Sequence, residues 1–289
     1  MYNLFINSNM MYSKKLHSFE RGVFIMKVNG KTVVVTGAGG GVGRELVLQL
    51  LEKQARVAAV DVNEESLNET KAIAGNSDRL SIHAIDLREE ELVEELVEEV
   101  KRIHGSIDGV INNAGIVQPF ININELTLDQ VNRVMSVNFC GTLHMIKASL
   151  PSLLERPQAH IVNISSMGGF LPVPGQIAYG ASKAAIKLLS EGLYVELKDT
   201  NVGVSVIIPG GIATDIVKNS DAGSREVSSD PEKTAKLLSP QKAASLIIKS
   251  MEKNKFRMFI GNDSKFLNIL YKFAPKTAIN LINKALSHN

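Results

Sequence analysis

A chain of 289 residues with one cysteine, Cys140, cannot form an intramolecular disulfide. That suits a reducing compartment, and the cytoplasm is the expected location. Long apolar runs are lacking too: none reaches the length of about eighteen residues that a membrane-spanning helix needs, so no transmembrane segment is predicted. Charge of one sign is also lacking. The 32 Lys and Arg against 30 Asp and Glu leave a formal charge of +2, far short of the basic footprint of a nucleic-acid binder. The six histidines (His17, His83, His104, His144, His160 and His288) show neither HExxH nor clustered ligand spacing, so no metal site is expected.

What is present fits one large domain. Hydrophobic residues make up 44% and charged residues 21%, an ordinary globular balance, and no internal repeat or linker divides the chain. Residues 1–26 differ from the rest, with Asn, Lys, Ser and aromatics mixed without period. They lack the apolar core and cleavage site of a secretory signal. They read either as a flexible N-terminal extension or as sequence upstream of a natural start at Met26, the second being preferred. The expected division is an extension over 1–26, a catalytic domain over 27–262 and a helical C-terminal extension over 263–289.

From residue 31 strand-like and helix-like runs alternate. Strands are predicted at 31–37, 56–61, 80–86, 106–113, 160–165, 202–208 and 256–261. Helices are predicted at 44–54, 64–74, 89–104, 127–154 and 178–198, with one or two more over 263–287 broken near Pro275. In 89–104, Leu92, Leu96 and Val100 are placed on one face with glutamates opposite. Strands apolar nearly throughout suit a parallel sheet covered on both faces. The expected fold is therefore a single-domain α/β structure, a doubly wound Rossmann sheet of about seven strands flanked by helices. The polar stretch 219–239 reads as a long loop, either a functional lid or disordered.

The first strand runs into Thr36-Gly37-Ala38-Gly39-Gly40-Gly41-Val42-Gly43 and then a helix. Glycines let the backbone approach a pyrophosphate, and a helix N-terminus offers it unpaired N–H groups. Such a run alone is a weak signal, but between a strand and a helix it has the context the motif requires. Asp61 ends the second strand, 18 residues after Gly43, where a carboxylate can accept from the adenosine ribose and repel a 2′-phosphate. With no Lys or Arg within the glycine run or directly after Asp61, NAD is favoured over NADP.

Tyr179 and Lys183 stand four apart at the start of a helix, which puts both on one face. A nearby ammonium would lower the phenol pKa and fit the tyrosine for proton exchange with a substrate oxygen, although such pairs are common on spacing alone. Asn163-Ile164-Ser165-Ser166-Met167-Gly168-Gly169 follows at the carboxyl end of a predicted strand, where a serine hydroxyl could hold that oxygen. A Ser-His-Asp hydrolase lacks a G-x-S-x-G elbow and a suitably placed histidine here.

Together these residues closely resemble the short-chain dehydrogenase/reductase family over about 28–262. TGxxxGxG is met by Thr36, Gly37, Gly41 and Gly43; NNAG by Asn112, Asn113, Ala114 and Gly115; YxxxK by Tyr179 and Lys183; and PGxxxT by Pro209, Gly210 and Thr214. The serine thirteen positions before the tyrosine is Ser166, preferred over Ser165, and the helix asparagine is Asn138. The resemblance implies Tyr179 as acid/base, Lys183 as pKa modifier and ribose ligand, Ser166 as holder of the substrate oxygen, and Asn138 as orderer of a relay water. It implies Asp86 and Leu87 beside adenine, Asn113 with Ala114 and Gly115 along the cofactor groove, Val42 in the phosphate turn, and Ile212 and Thr214 on the carboxamide. Cys140 reads as packing. The implied cofactor is NAD, and the implied assembly a homodimer or homotetramer built on helices 127–154 and 178–198.

The substrate would be met by Met167, Phe170, Leu171, Pro172 and Val173, by loop 116–125 and by 215–239. The first two sets are largely apolar, which suggests a lipid- or steroid-like carbonyl or secondary alcohol; packing against a lid explains the same residues equally well. The apolar faces and lysines of the C-terminal extension suit an active-site cover, a subunit contact or peripheral membrane contact. Two other functional classes stay open. A dinucleotide-binding regulatory protein would usually lose the tyrosine or lysine kept here, and an isomerase or dehydratase of the same fold would use NAD without net turnover.

Overall fold

The computed structural model describes residues 26–214, 216, 220 and 237–287. Residues 1–25 and most of the 219–239 loop lie outside the described residues. Seven parallel strands form one sheet: β1 (Thr32–Thr36), β2 (Arg56–Asp61), β3 (Leu80–Ala84), β4 (Gly109–Asn112), β5 (Ala159–Ile164), β6 (Val202–Pro209) and β7 (Arg257–Ile260). Their order, β3-β2-β1-β4-β5-β6-β7, reverses between β1 and β4. The doubly wound expectation holds. That reversal opens a crevice at the carboxyl edge, the place where open α/β sheets take their ligands.

Because β1 and β6 are buried along their whole length, helices must cover both faces. On one face α1 (Gly41–Glu52), α2 (Glu64–Ile73) and α7 (Pro240–Glu252) pack through Leu46, Val47, Leu50, Leu67, Ile247 and Met251. On the other, α3 (Glu90–His104), α5 (Gly141–Leu154) and α6 (Ile177–Glu196) pack through Val93, Leu96, Val100, Met145, Leu153 and Leu193. A short α4 (Leu128–Met135) runs into α5 through a wider π turn over Ser136–Cys140. The last two helices, α8 (Asn262–Phe273) and α9 (Pro275–Ser287), break at Pro275 as expected. No helix among the described residues is long and apolar enough to cross a membrane.

Two expectations need correction. Met26, assigned to the extension, is fully buried, its methyl beside Gly109 at the foot of β4, so the packed domain includes it. Leu92 is 40% exposed; Val93 and Val97 join Leu96 and Val100 in the core instead, because α3 is rotated by about one residue from the face first drawn.

At the opposite edge of the sheet His160 is fully buried on β5, with Nε2 paired to the Ser205 hydroxyl and Nδ1 unpartnered. Burial pushes its pKa down to about 3. In the unfolded chain a histidine titrates near about 6.5, so the unfolded state alone binds this proton as pH falls. The stability His160 contributes is complete above about pH 6.5 and declines from there toward about pH 3. Urea unfolding at pH 7 and pH 5 should therefore show a smaller acid loss in His160→Gln than in the parent protein. An unchanged loss would assign it to other groups.

Candidate active site

The glycine turn is built on close approach. Gly37 has φ +67°, and a Cβ on Gly43 would stand only 1.8 Å from the Gly37 carbonyl oxygen, so neither position tolerates a side chain without opening the turn. The turn is clasped to the end of β4. The Thr36 hydroxyl accepts from the Asn113 and Ala114 N–H groups, each at 3.0 Å, and the Asn113 amide donates to the Thr36 and Gly37 carbonyls at 3.0 and 3.3 Å. No side chain caps α1, so its first N–H groups and dipole face the crevice. Val42 and Gly43 lie in that first turn. Thr214 faces the turn from the opposite side, its methyl 3.4 Å from where a Cβ on Gly41 would stand.

Asp61 closes β2 with Oδ2 accepting from Gly39 N at 2.9 Å and Oδ1 from Asn63 N at 3.1 Å. Next to it is a cation that the sequence reading did not weigh. Arg44 reaches back over the turn, donating to the Gly39 carbonyl at 2.6 Å and the Thr70 hydroxyl at 3.0 Å, and pairs with Glu69. Asp86 is engaged by the Arg88 guanidinium at 2.8 and 3.0 Å, which holds its carboxyl below the usual range. Leu87 buries its side chain against Gly141, and its carbonyl accepts from His144 Nδ1 at 2.9 Å.

Across the crevice the structure brings Ser166, Tyr179 and Lys183 together. The two serines separate cleanly. Ser165 is buried and donates to the Lys183 carbonyl at 2.7 Å, while Ser166 caps the short turn Met167–Gly169 and hydrogen-bonds the Tyr179 phenol. Gly168 and Gly169 lie flat against α6, beside the Tyr179 ring and the Lys183 carbonyl. Lys183 Nζ donates to the Ile164 carbonyl at 3.0 Å and borders Gly115 and the tyrosine ring, 5.9 Å from its centroid.

The electrostatics differ from expectation. Burial raises the Tyr179 phenol above its ordinary value, and the Ser166 hydrogen bond only opposes this. Lys183 does not hold the phenol down, because its ammonium is directed at a carbonyl and is itself pushed down to about 8 by burial.

Asn138 sits inside the π turn, a distortion frequent at functional sites. Its side chain is spent on protein: Oδ1 accepts from Ile116 N at 2.8 Å, and Nδ2 donates to the Ile116 carbonyl at 3.0 Å and the Ser182 hydroxyl at 2.9 Å. Ser182 in turn donates to the Tyr179 carbonyl at 2.7 Å. Pro209 ends β6. Gly210 N donates to the Ile260 carbonyl at 2.8 Å, and Ile212 bridges to Leu238.

Gln118 was missed. Read as part of an apolar loop, it is 1% exposed, and its Oε1 accepts from Ala178 N at 2.7 Å and Tyr179 N at 3.2 Å. Its Nε2 donates to the Gly175 carbonyl at 2.9 Å. It therefore caps the helix that carries Tyr179 and Lys183, which Gln176 at the N-cap does not. A lone amide in the apolar run 116–121 was the available signal, since a buried amide needs partners.

The residues after Ser166 divide. Phe170 makes edge contacts with Phe259 and Tyr271, and Leu171 is buried under α8 and α9 with Leu267 and Ala278. Packing thus accounts for these two, whereas Pro172 is exposed and Val173 half-buried. Gln118→Leu keeps the volume and orphans the Ala178 and Tyr179 N–H groups, so it should lower the unfolding free energy by about 2 kcal/mol in urea titration. Unchanged stability would show that the start of α6 does not depend on this cap.

Comparison with known proteins agrees with the geometry. The short chain dehydrogenase family profile matches residues 31–225. SadH of Mycobacterium tuberculosis is 35% identical over 256 residues, covering 83% of this chain and 90% of its own length. The uncharacterized oxidoreductase SAR2567 of Staphylococcus aureus is 32% identical over 226 residues, covering 78% and 92%. Among solved structures, a short chain dehydrogenase/reductase from Burkholderia phymatum in complex with NAD superposes with TM-score 0.74 at 24% identity, covering 81% of this chain and 90% of its own. An NAD+-bound xylitol dehydrogenase superposes with TM-score 0.70 at 27% identity, covering 82% and 99%. With the glycine turn, the clasped NNAG segment and the Ser-Tyr-Lys grouping on one sheet edge, this chain belongs to the short-chain dehydrogenase family of oxidoreductases.

Proposed function

We propose that the protein is an NAD-dependent oxidoreductase acting on a secondary alcohol/ketone pair or an aldehyde. The observation that carries this reading is the placement of Ser166, Tyr179 and Lys183 across one crevice from an uncapped, side-chain-free glycine turn. The residues fit a dinucleotide. Gly37, Gly41, Val42 and Gly43 would hold the pyrophosphate, Asp61 the adenosine ribose, and Lys183 with Tyr179 the nicotinamide ribose. Asp86 and Leu87 would border adenine; Asn113, Ala114 and Gly115 would line the groove; Pro209, Gly210, Ile212 and Thr214 would flank the carboxamide. NAD is favoured because Asp61 presents a carboxylate where a 2′-phosphate would sit, and Arg44 beside the turn is already paired with Glu69.

When bound, the dinucleotide supplies or accepts the hydride. The chain's own residues handle the proton. Ser166 would hold the substrate oxygen, and Tyr179 would give that oxygen a proton in reduction or take one in oxidation. The raised phenol is protonated at neutral pH, the form reduction uses. Asn138 would keep Ile116 and Ser182 in place and serve the relay that reprotonates Lys183. We infer an apolar substrate, supported by Ile116, Val117, Phe120 and Met167 near the crevice. The proposed location is the cytoplasm. Exposed Leu128, Leu188 and Val195 on α4 and α6 support a homodimer or homotetramer.

Nicotinamide fluorescence titration should show tighter binding of NADH than of NADPH, and Asp61→Ala should relax that preference. NADPH binding better in the parent would overturn the NAD assignment. Tyr179→Phe should bind NADH within a few-fold of the parent yet lose turnover by about a hundredfold or more in an alcohol and ketone screen at 340 nm. Net NADH formation from NAD and an alcohol separates this reading from an isomerase or dehydratase. With a substrate in hand, oxidation should rise as pH increases above neutrality while reduction holds level until the pH nears the raised phenol pKa, because the deprotonated phenol is the base and the protonated phenol the acid. Identical pH profiles in both directions would count against Tyr179 as the proton carrier.

A further inference from the structure

Helix α8 carries apolar residues on two sides, and among the described residues only one side is covered. Inward, Leu267, Leu270 and Tyr271 pack on Phe170, Leu171 and Ala278. Outward, Phe266, Ile269 and Phe273 are 57%, 59% and 85% exposed. Their spacing of three and then four residues sets them in one stripe about 60° wide on a helix of 3.6 residues per turn. Scattered exposed apolar residues are ordinary, but a stripe with two phenylalanines is not.

The charges around the stripe are of one sign. Lys265 and Lys272 run along one edge, and Lys276 and Lys284 stand on α9. The single carboxylate between Asn262 and Ser287 is Asp263, and its Oδ2 accepts from Gly211 N at 2.8 Å, at the end of β6. The hairpin is thus a local excess of cations on a chain whose net charge is only +2. Antiparallel pairing of the stripe with that of a second copy about a twofold axis would bring like-charged lysine edges together. An anionic lipid surface instead takes the apolar stripe into its headgroup boundary and the lysines at its phosphates.

We propose that the outward face of α8, with the lysines of α8 and α9, docks the protein reversibly on anionic bilayer surfaces. The inner face of the same hairpin roofs the segment after Ser166. On the oxidoreductase reading above, docking therefore holds the substrate end of the site beside the lipid phase, where apolar alcohols and carbonyl compounds concentrate.

The test is co-sedimentation of the full chain with vesicles of phosphatidylcholine alone and of phosphatidylcholine with 30% phosphatidylglycerol. Binding is expected to the anionic vesicles at low salt, with loss in high salt. Phe266→Ser/Ile269→Ser/Phe273→Ser should abolish it, and Lys265→Gln/Lys272→Gln/Lys276→Gln should weaken it by about fivefold per lysine. Both variants change exposed residues only and should keep the parent's unfolding transition. No association with anionic vesicles, or equal association by the triple serine variant, overturns the proposal. So does a change of mass in sedimentation equilibrium on removing the stripe, which would assign the face to another copy. Vesicle binding needs neither substrate nor cofactor, so failure of NADH to bind would sink the oxidoreductase reading and leave this one standing.

Discussion

Where β1 and β4 diverge, a sheet of this topology leaves two strand ends with no neighbour above them, and the chain fills that gap with a hydrogen-bonded clasp. The Thr36 hydroxyl receives the N–H groups of Asn113 and Ala114, while the Asn113 amide returns to the carbonyls of Thr36 and Gly37. Each such bond is worth about 1 kcal/mol net, but leaving its partner unpaired in a part-buried site costs more. The clasp fixes the glycine turn on one wall against Gly115, Lys183 and Asn138 on the other. Everything the crevice does chemically depends on that separation staying constant.

A second set of polar contacts does the same for the far wall. Gln118 holds the start of α6, Ser182 ties the Tyr179 carbonyl to Asn138, and Asn138 ties both to Ile116. Deeper in the sheet, Asn112 donates to Asn163 at 2.8 Å and Asn163 to Ser190 at 2.9 Å, locking β4, β5 and α6 together. Polar networks of this kind resist partial loosening, because each broken contact exposes an unsatisfied group in a medium of low dielectric. The tyrosine is thereby aimed by its helix while its hydroxyl is left to Ser166.

The architecture was legible because its signals are local: fully apolar strand runs, helical periods, and glycines at a strand-helix junction. Tyr179 and Lys183 stand out by their spacing, and Ser166 and Asn138 by the family resemblance. What sequence could not supply was orientation. Leu92 and Val93 are equally apolar neighbours, and only packing chooses between them. Lys183 stands four residues from Tyr179, but a carbonyl at Ile164 decides where its ammonium points. Gln118 and Arg44 act through partners 60 and 25 residues away, beyond any local pattern. Met26 belongs to the core because of space beneath Gly109, which no motif records.

The single bridge between Ile212 and Leu238 has a consequence for how such a protein diversifies. Ala213 N donates to the Leu238 carbonyl and Leu238 N to the Gly211 carbonyl, both at 3.0 Å, so the two ends of the segment between them are held side by side. The entropy of closing a loop grows only logarithmically with its length, about 0.6 kcal/mol per doubling. A change of length between those ends is therefore thermodynamically cheap, except at Ser220, which is buried and accepts from Val117 N at 3.0 Å. Sequence between those ends can be redrawn while the paired ends at Ile212 and Leu238 keep their geometry.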